Sequence, residues 1–411
     1  MSLAAYRETF DQFAAGLPDA QRAARREQLG RFLAAGFPTP RIEAWHYTDL
    51  AALNERQFIP APAAELPPAA ELLADAERLV YVNGRLDSVH STATALHGDN
   101  PAASDGDTVG ALNAAFASGG LRLNLGHNER LPRPLQVLLA GVADAAPAMA
   151  HQRHRIELGE NAEATVLFQF LGRGGGRFGT QAIEVRLAAG ARLTLYRVQD
   201  ETADATLLTR IDAQLGRNSR LEAVAVDCGG GLVRHDFNVV LAEAGAEATL
   251  SGLYMPAAGG HIDNQTRISH AAPHCRSREL FKGIVDARAR AIYVGKVVVQ
   301  PGAQKTDSEQ RVANLLLSRK AEVNAKPELE IYADDVKCAH GATVGQLDEK
   351  ALEYLRSRGI GADEARALLL HAFGVEVLER IGIPALRRSL ASRLGLAQEE
   401  AFAGASGEAM E

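Results

Sequence analysis

Aromatic residues, cysteine and excess positive charge are all scarce in this sequence of 411 residues. Aromatic residues make up 5% of the chain and include one Trp, so the core must consist mainly of Val, Leu, Ile and Ala. Lys and Arg number 44 against 51 Asp and Glu, which gives a net charge of −7. Binding to nucleic acid requires a basic surplus that this chain does not have. We therefore expect no nucleic-acid partner.

The three cysteines, Cys228, Cys275 and Cys338, are too few and too far apart for a disulfide framework. No apolar run approaches the roughly 18 to 20 residues that span a bilayer. The N-terminal segment contains acidic residues and has no apolar stretch of the kind found in a secretory signal. We therefore expect a cytoplasmic protein that is not associated with a membrane.

The short motifs of several common enzyme classes are also missing. The sequence contains no GxxxxGK[ST], GxSxG, HExxH or CxxC, so P-loop, common hydrolase, metalloprotease and zinc-ribbon chemistry have no support. A formal GxGxxG occurs at Gly174, Gly176 and Gly179. A strand-like alternating segment follows it instead of a helix, so it predicts a hairpin turn and not a dinucleotide site.

Short β-prone runs separated by Gly, Asn and Asp turns fill residues 152–340. The leucines that precede four comparable runs are Leu158, Leu187, Leu215 and Leu241, at steps of 29, 28 and 26 residues. A nearly constant step of this size indicates a repeat architecture, in which stacked turns bury a continuous core. A parallel β-helix and a β-sandwich with two strands per repeat both fit. The branched aliphatic residues and the few aromatics favour the β-helix.

Apolar residues at helical spacing lie on both sides of the β-prone region. Residues 4–35 predict one or two helices, and 108–117 and 133–143 predict two more. Three amphipathic helices follow the β region, with Asp348 and Asp363 at the N-cap positions of the first two. Their predicted ranges are 348–358, 363–381 and 384–396.

The change in pattern along the chain predicts three regions. The first is an N-terminal helical and mixed region over residues 1–150. A β core follows over residues 151–344, and a C-terminal helical region occupies residues 345–411.

Cys338 and His340 form the clearest candidate metal site. If DDVKCAHGATVG is a strand, Asp334, Val336, Cys338 and His340 project from the same face. A thiolate beside an imidazole is a suitable ligand pair for iron or zinc. Taken alone, the pair also fits a structural cysteine beside a histidine in a turn. An iron–sulfur cluster commonly takes four ligands, so a partner would have to supply the others.

The remaining histidines predict no site. His261, His270 and His274 lie near Cys275, but their spacing matches no standard ligand pattern and is typical of exposed turns. We expect His151 and His154 on the surface. We expect His46 to pack beside Trp45.

The segment Lys326–Ile360, KPELEIYADDVKCAHGATVGQLDEKALEYLRSRGI, closely resembles the signature of the Suf iron–sulfur cluster assembly scaffold family, whose paralogues are SufB and SufD. Residues 281–286, 295–306 and 314–321 are similar to other segments of that family, and EAWHYTDL at 43–50 resembles its N-terminal motif. The resemblance is strong over about residues 270–385 and weaker over the rest. Ala339-His340-Gly341 stands where the B paralogue typically carries Glu-His-Glu, so the chain is more similar to the D paralogue.

This resemblance implies a mainly β fold with a right-handed parallel β-helix core between helical N- and C-terminal regions. It also implies a non-catalytic scaffold that holds a transient iron–sulfur cluster shared with a partner. The implied partners are a SufB-like paralogue and a SufC-like ABC ATPase dimer, which contacts the C-terminal helices. A homodimer in isolation is a further expectation. The implied cluster ligand is His340, with Cys338 as a second metal-site residue.

Two other functions are compatible with a β-helix. One is a carbohydrate-active lyase, which would need clustered acidic and basic residues, and often aromatics, on an exposed strand face. The low aromatic content speaks against it. The other is a purely structural partner with no ligands of its own.

Overall fold

Two ten-stranded sheets make up most of the molecule, and they are parallel except where β3 (Arg85–Leu86) pairs with β2 (Glu77–Val82) and β4 (His97–Gly98) pairs with β5 (Gly120–Leu125). The computed structural model describes residues 4–68, 70–100, 107–143 and 147–396. From β5 onward, successive strands alternate between the two sheets, and each strand pairs in parallel with the equivalent strand of the next turn. The fold is therefore a parallel β-solenoid with helices at both ends of the chain, as predicted. Residues 397–411, the end of the predicted C-terminal region, lie outside the described residues.

The described residues form seven α-helices. Their bounds are α1 Ala4–Ala14, α2 Asp19–Ala35, α3 Ala51–Glu55, α4 Thr108–Phe116, α5 Glu349–Ser357, α6 Ala362–Leu378 and α7 Pro384–Arg393. The same residues form 20 strands. Their bounds are β1 Ile59–Pro60, β2 Glu77–Val82, β3 Arg85–Leu86, β4 His97–Gly98, β5 Gly120–Leu125, β6 Leu135–Ala143, β7 Ala148–Leu158, β8 Glu163–Gly174, β9 Arg177–Leu187, β10 Arg192–Glu201, β11 Thr206–Leu215, β12 Arg220–Gly229, β13 Leu232–Leu241, β14 Glu247–Met255, β15 His261–His270, β16 Arg276–Val285, β17 Arg290–Val299, β18 Asp307–Leu316, β19 Glu322–Ile331 and β20 Lys337–Gly345.

The repeat step in the sequence corresponds to one turn of the solenoid. Leu158, Leu187, Leu215 and Leu241 pair in register across adjacent turns, and all four are buried. Because side chains alternate between the faces of a strand, every second residue points into the interior between the two sheets, which we call the lumen. Stacked aliphatic side chains fill the lumen over the early turns.

One corner of the solenoid requires the same unusual backbone conformation in every turn. A residue with positive φ lies at this corner, and its amide donates a hydrogen bond to a carbonyl of the next turn. Gly and Asn adopt this conformation most readily, which explains their recurrence between the β-prone runs. The residues are Asn128, Asn161, Gly190, Asn218, Gly245, His274 and Lys305.

Helices cover the outer faces of both sheets. Helices α1, α2 and α4 pack around Met149, Phe178 and Leu208 on the sheet that contains β7 and β9. Helices α6 and α7 pack around Tyr196 and Leu253 on the other sheet. Within the part of the chain that the structure describes, no helix is both long and apolar enough to cross a membrane.

Several local predictions were wrong. The helix predicted over 133–143 is wrong, because Leu135–Ala143 forms strand β6. Residues 135–140 contribute buried side chains to both the lumen and the outer face, so no alternation is visible in the sequence. The cap of α6 is Gly361, and Asp363 lies in its first turn. Asp348 caps α5 as predicted. The glycines near 174 join strands of different sheets, so they form no hairpin.

The division into three regions stays a prediction. Strands β2, β5 and β6, all before residue 150, already belong to the two sheets.

Candidate functional site

The last turn of the solenoid, formed by β19 and β20, has no further strand stacked on it among the described residues. We call this the open end. Its side chains include exposed apolar groups, at Ile331, Tyr332 and Val344. Both strands present unpaired backbone donors and acceptors along one edge, so this end is a ready template for association.

Cys338 and His340 lie on β20, two residues apart, and therefore on the same face. They pair in register with Ser308 and Gln310 of β18, both of which are buried. Cys338 is half-buried and packs against a buried cluster that contains Val297 and Val299, whereas His340 is exposed. The structure thus brings together the two residues predicted from sequence. Asp334 and Val336 precede the strand, although Val336 packs against the same buried cluster as Cys338.

The environment of Cys338 favours the protonated thiol. Partial burial raises the pKa of the Cys338 thiol, and the charge of Asp307 raises it further, although a backbone hydrogen bond at Ser308 acts in the opposite direction. Because a metal binds the thiolate, metal binding at Cys338 would release a proton.

The described residues contain no group of three or more His, Cys, Asp and Glu side chains that could hold a metal ion. Cys338 and His340 can supply one sulfur and one nitrogen ligand, a combination suited to iron and zinc. Iron–sulfur clusters commonly take four protein ligands, so this pair is at most a partial site.

Behind this pair lies a set of buried polar residues that the sequence analysis missed. The Ser308 hydroxyl, directly below Cys338, accepts a hydrogen bond from Ser277, which bonds His270 at 2.9 Å. Gln310, directly below His340, donates to the Glu279 carboxylate at 2.8 Å. One feature of the sequence could have revealed this set. Polar residues occupy inward-facing strand positions at which the earlier turns of the solenoid carry aliphatic residues.

The predictions for the other histidines were partly right and partly wrong. His274 is an exposed corner residue, as predicted. His270 is fully buried in the lumen, so the prediction of an exposed turn was wrong for it. Cys275 is also buried, and its thiol donates to the Glu243 carbonyl.

His151 and His154 are buried and not on the surface as predicted. His151 bonds the Thr180 hydroxyl at 2.7 Å, and His154 bonds Gln181 at 3.0 Å. Burial lowers the pKa of His151 to about 3 and that of His154 to about 4. Partners on the neighbouring turn make these buried polar rings acceptable in the folded chain.

The N-terminal motif EAWHYTDL attaches to the solenoid through buried charges. The guanidinium of Arg234 lies 4.1 Å from the centre of the Trp45 ring and bonds Asp263 at 2.8 Å. The Thr48 hydroxyl also donates to Asp263. His46, which we expected to pack beside Trp45, is exposed.

Comparison with known proteins gives one consistent result. Residues 141–373 match the family model described as SUF system FeS cluster assembly, SufBD core domain. The chain is 33% identical to the iron–sulfur cluster assembly protein SufD of Escherichia coli over 387 residues, which cover 90% of this chain and 91% of the relative. It is 31% identical to a SufBD family protein of Synechocystis over 393 residues, covering 86% of each chain.

Proposed function

Because the chain belongs to the SufBD family of the SUF system for iron–sulfur cluster assembly, we propose that it is a cytoplasmic, non-catalytic SufD-type scaffold subunit. In this proposal it pairs with a SufB-like paralogue through the open end, and a nascent cluster forms between the two chains. The observation that carries the proposal is the position of Cys338 and His340 on the exposed final strand of the solenoid.

The open end suits a second solenoid as its partner. Strand β19 offers an edge of ten residues and β20 an edge of nine. The backbone groups of these edges can continue both sheets into a neighbouring chain. The exposed apolar side chains of Ile331 and Val344 would be removed from water by the same contact. In the absence of the paralogue, a second copy of this chain is the expected occupant of the surface.

The C-terminal helices are the proposed contact for a SufC-like ABC ATPase. Helix α5 has no buried residue, and its Tyr354 is 58% exposed. Helix α6 is anchored to the solenoid, where the Lys282 ammonium donates to the Phe373 carbonyl at 2.9 Å. An ATPase that closes on nucleotide would pull on this anchored unit, and the stacked strands would transmit the motion to the open end.

The ligand assignment is tested with the complete complex, co-expressed with the paralogue and the ATPase. We expect His340→Ala to lower the iron and sulfide content while complex assembly and the circular dichroism spectrum stay unchanged. His127→Ala is the matched control, because His127 is also exposed but lies at a corner far from β20 in the chain. Wild-type cluster content in His340→Ala would refute the assignment.

A further inference from the structure

A column of three in-register residues leads from the lumen to His340. Glu279 of β16 pairs with Gln310 of β18, and Gln310 pairs with His340 of β20. Neighbouring strands in a sheet lie about 4.8 Å apart, so side chains in such a column can contact each other directly. Glu279 and Gln310 are buried, and His340 at the end of the column is exposed.

The amide of Gln310 is held in one orientation. Its Nε2 donates to Glu279 Oε2 at 2.8 Å and to the Tyr293 hydroxyl at 3.1 Å. The Tyr293 hydroxyl in turn donates to Glu279 Oε1 at 3.2 Å. If the amide were rotated by half a turn, its oxygen would face the carboxylate oxygen and lose the bond to Glu279. The Oε1 atom must therefore point away from Glu279.

The same oxygen is the unsatisfied member of the network. Gln310 is fully buried, and its Oε1 has no hydrogen-bond partner among the described residues. A buried acceptor without a donor costs about 1–3 kcal/mol, so a native structure rarely leaves one unused. The next position along the column belongs to His340, whose imidazole carries an N–H donor in either neutral form.

The opposite wall of the lumen leaves room for this arrangement. Gly295 of β17 faces Gln310, and a methyl group at this position would collide with Gln310 Nε2 and with the Tyr293 hydroxyl. The glycine thus lets the amide reach across the lumen to Tyr293. This is a steric requirement that is independent of the hydrogen-bond pattern.

We propose that Gln310 is a positioning residue for His340. The exposed imidazole is in register with Gln310 but is not bonded to it in the structure, and it turns one N–H toward Gln310 Oε1. The bond so formed fixes one tautomer and one ring orientation. The other ring nitrogen then stays unprotonated and free to bind a metal. Metal-binding histidines commonly have their second nitrogen held in this way, and loss of the partner typically costs 10–100-fold in metal affinity or activity. The consequence for cluster assembly rests on the proposed function, whereas the hydrogen bond itself does not.

The test measures the tautomer of the His340 imidazole directly. The full chain is labelled with ¹⁵N-histidine, and long-range ¹H–¹⁵N spectra are recorded above the ordinary pKa of imidazole, where the tautomers of the neutral ring can be distinguished. We expect one tautomer in the unmodified protein and a mixture in Gln310→Met. Ser308→Ala is the matched control, because Ser308 is buried in the same strand but underlies Cys338. It should leave the His340 signals unchanged.

A second variant guards against misfolding of Gln310→Met. Gly295→Ala keeps the glutamine but displaces its amide, and it should also produce mixed tautomers. A single unchanged tautomer in both folded variants would overturn the proposal. In the co-expressed complex, Gln310→Met should lower cluster content about 10-fold or more. If His340→Ala leaves the cluster intact while Gln310→Met still mixes the tautomers, the proposed function fails and the positioning role stands.

Discussion

His270 interrupts a column of leucines in the lumen, and we expect it to make the stability of the protein pH-dependent. The column runs from Leu215 through Leu241 to His270 and then to Val299. The imidazole is fully buried and bonds the Ser277 hydroxyl. Burial lowers its pKa from 6.5 to about 4, while the charge of Asp307 acts weakly in the opposite direction.

The size and sign of the effect follow from proton uptake. As the pH falls below about 6.5, the unfolded chain protonates this histidine but the folded chain does not, so the free energy of unfolding decreases. Each pH unit in the window contributes about 1.4 kcal/mol, which amounts to about 2 kcal/mol at pH 5. The contribution levels off below the folded pKa of about 4. Replacement by leucine removes it and continues the aliphatic column.

The assay compares urea unfolding of His270→Leu and the unmodified protein at about pH 7 and about pH 5. The stability difference between them should shift by about 2 kcal/mol in favour of the variant at the lower pH. Other buried histidines are common to both proteins and cancel in this difference. His274→Asn, four residues away and exposed, controls for the loss of a histidine. Parallel stability curves for His270→Leu and the unmodified protein would refute the argument.

Two further substitutions test the packing around the solenoid. Arg234→Met leaves Asp263 buried without its partner, so the free energy of unfolding should fall by about 3–5 kcal/mol. Emission from Trp45, the sole tryptophan, should shift to the red as this segment detaches, whereas Arg267→Met on an exposed site of the same sheet should change neither quantity. Leu215→Ala opens a cavity in the leucine column and should cost about 2–5 kcal/mol in urea unfolding, and a loss below about 1 kcal/mol would contradict the stacked-core description.

Sequence reasoning was most successful where one residue type recurs at a constant step. The leucines 158, 187, 215 and 241 predict the turn length, and the structure places them in a single column. This works because a solenoid contacts mainly its neighbouring turns, so periodicity in sequence becomes periodicity in space. Strand alternation likewise predicted that Cys338 and His340 share a face.

The failures concern residues whose environment is set by distant partners. His151 and His154 looked like surface residues, but both are buried, and Thr180 and Gln181 on the next turn each give one of them a hydrogen bond. The partner of Trp45 is Arg234, far along the chain, and no local pattern indicates that pair. Composition and spacing are local properties of the sequence. The burial of a side chain depends instead on residues distant in the sequence that the fold places against it.

The two ends of the solenoid are not equivalent, and this difference would give the proposed association its direction. At the N-terminal end, short antiparallel strands cover the first edge of each sheet: β3 pairs with β2, and β4 pairs with β5. At the open end, among the described residues, β19 and β20 have no such cover. A long uncovered edge is an aggregation hazard that proteins normally block. The proposed partner, continuing the column beyond β20, would remove that hazard and would turn His340 from an exposed side chain into a buried one.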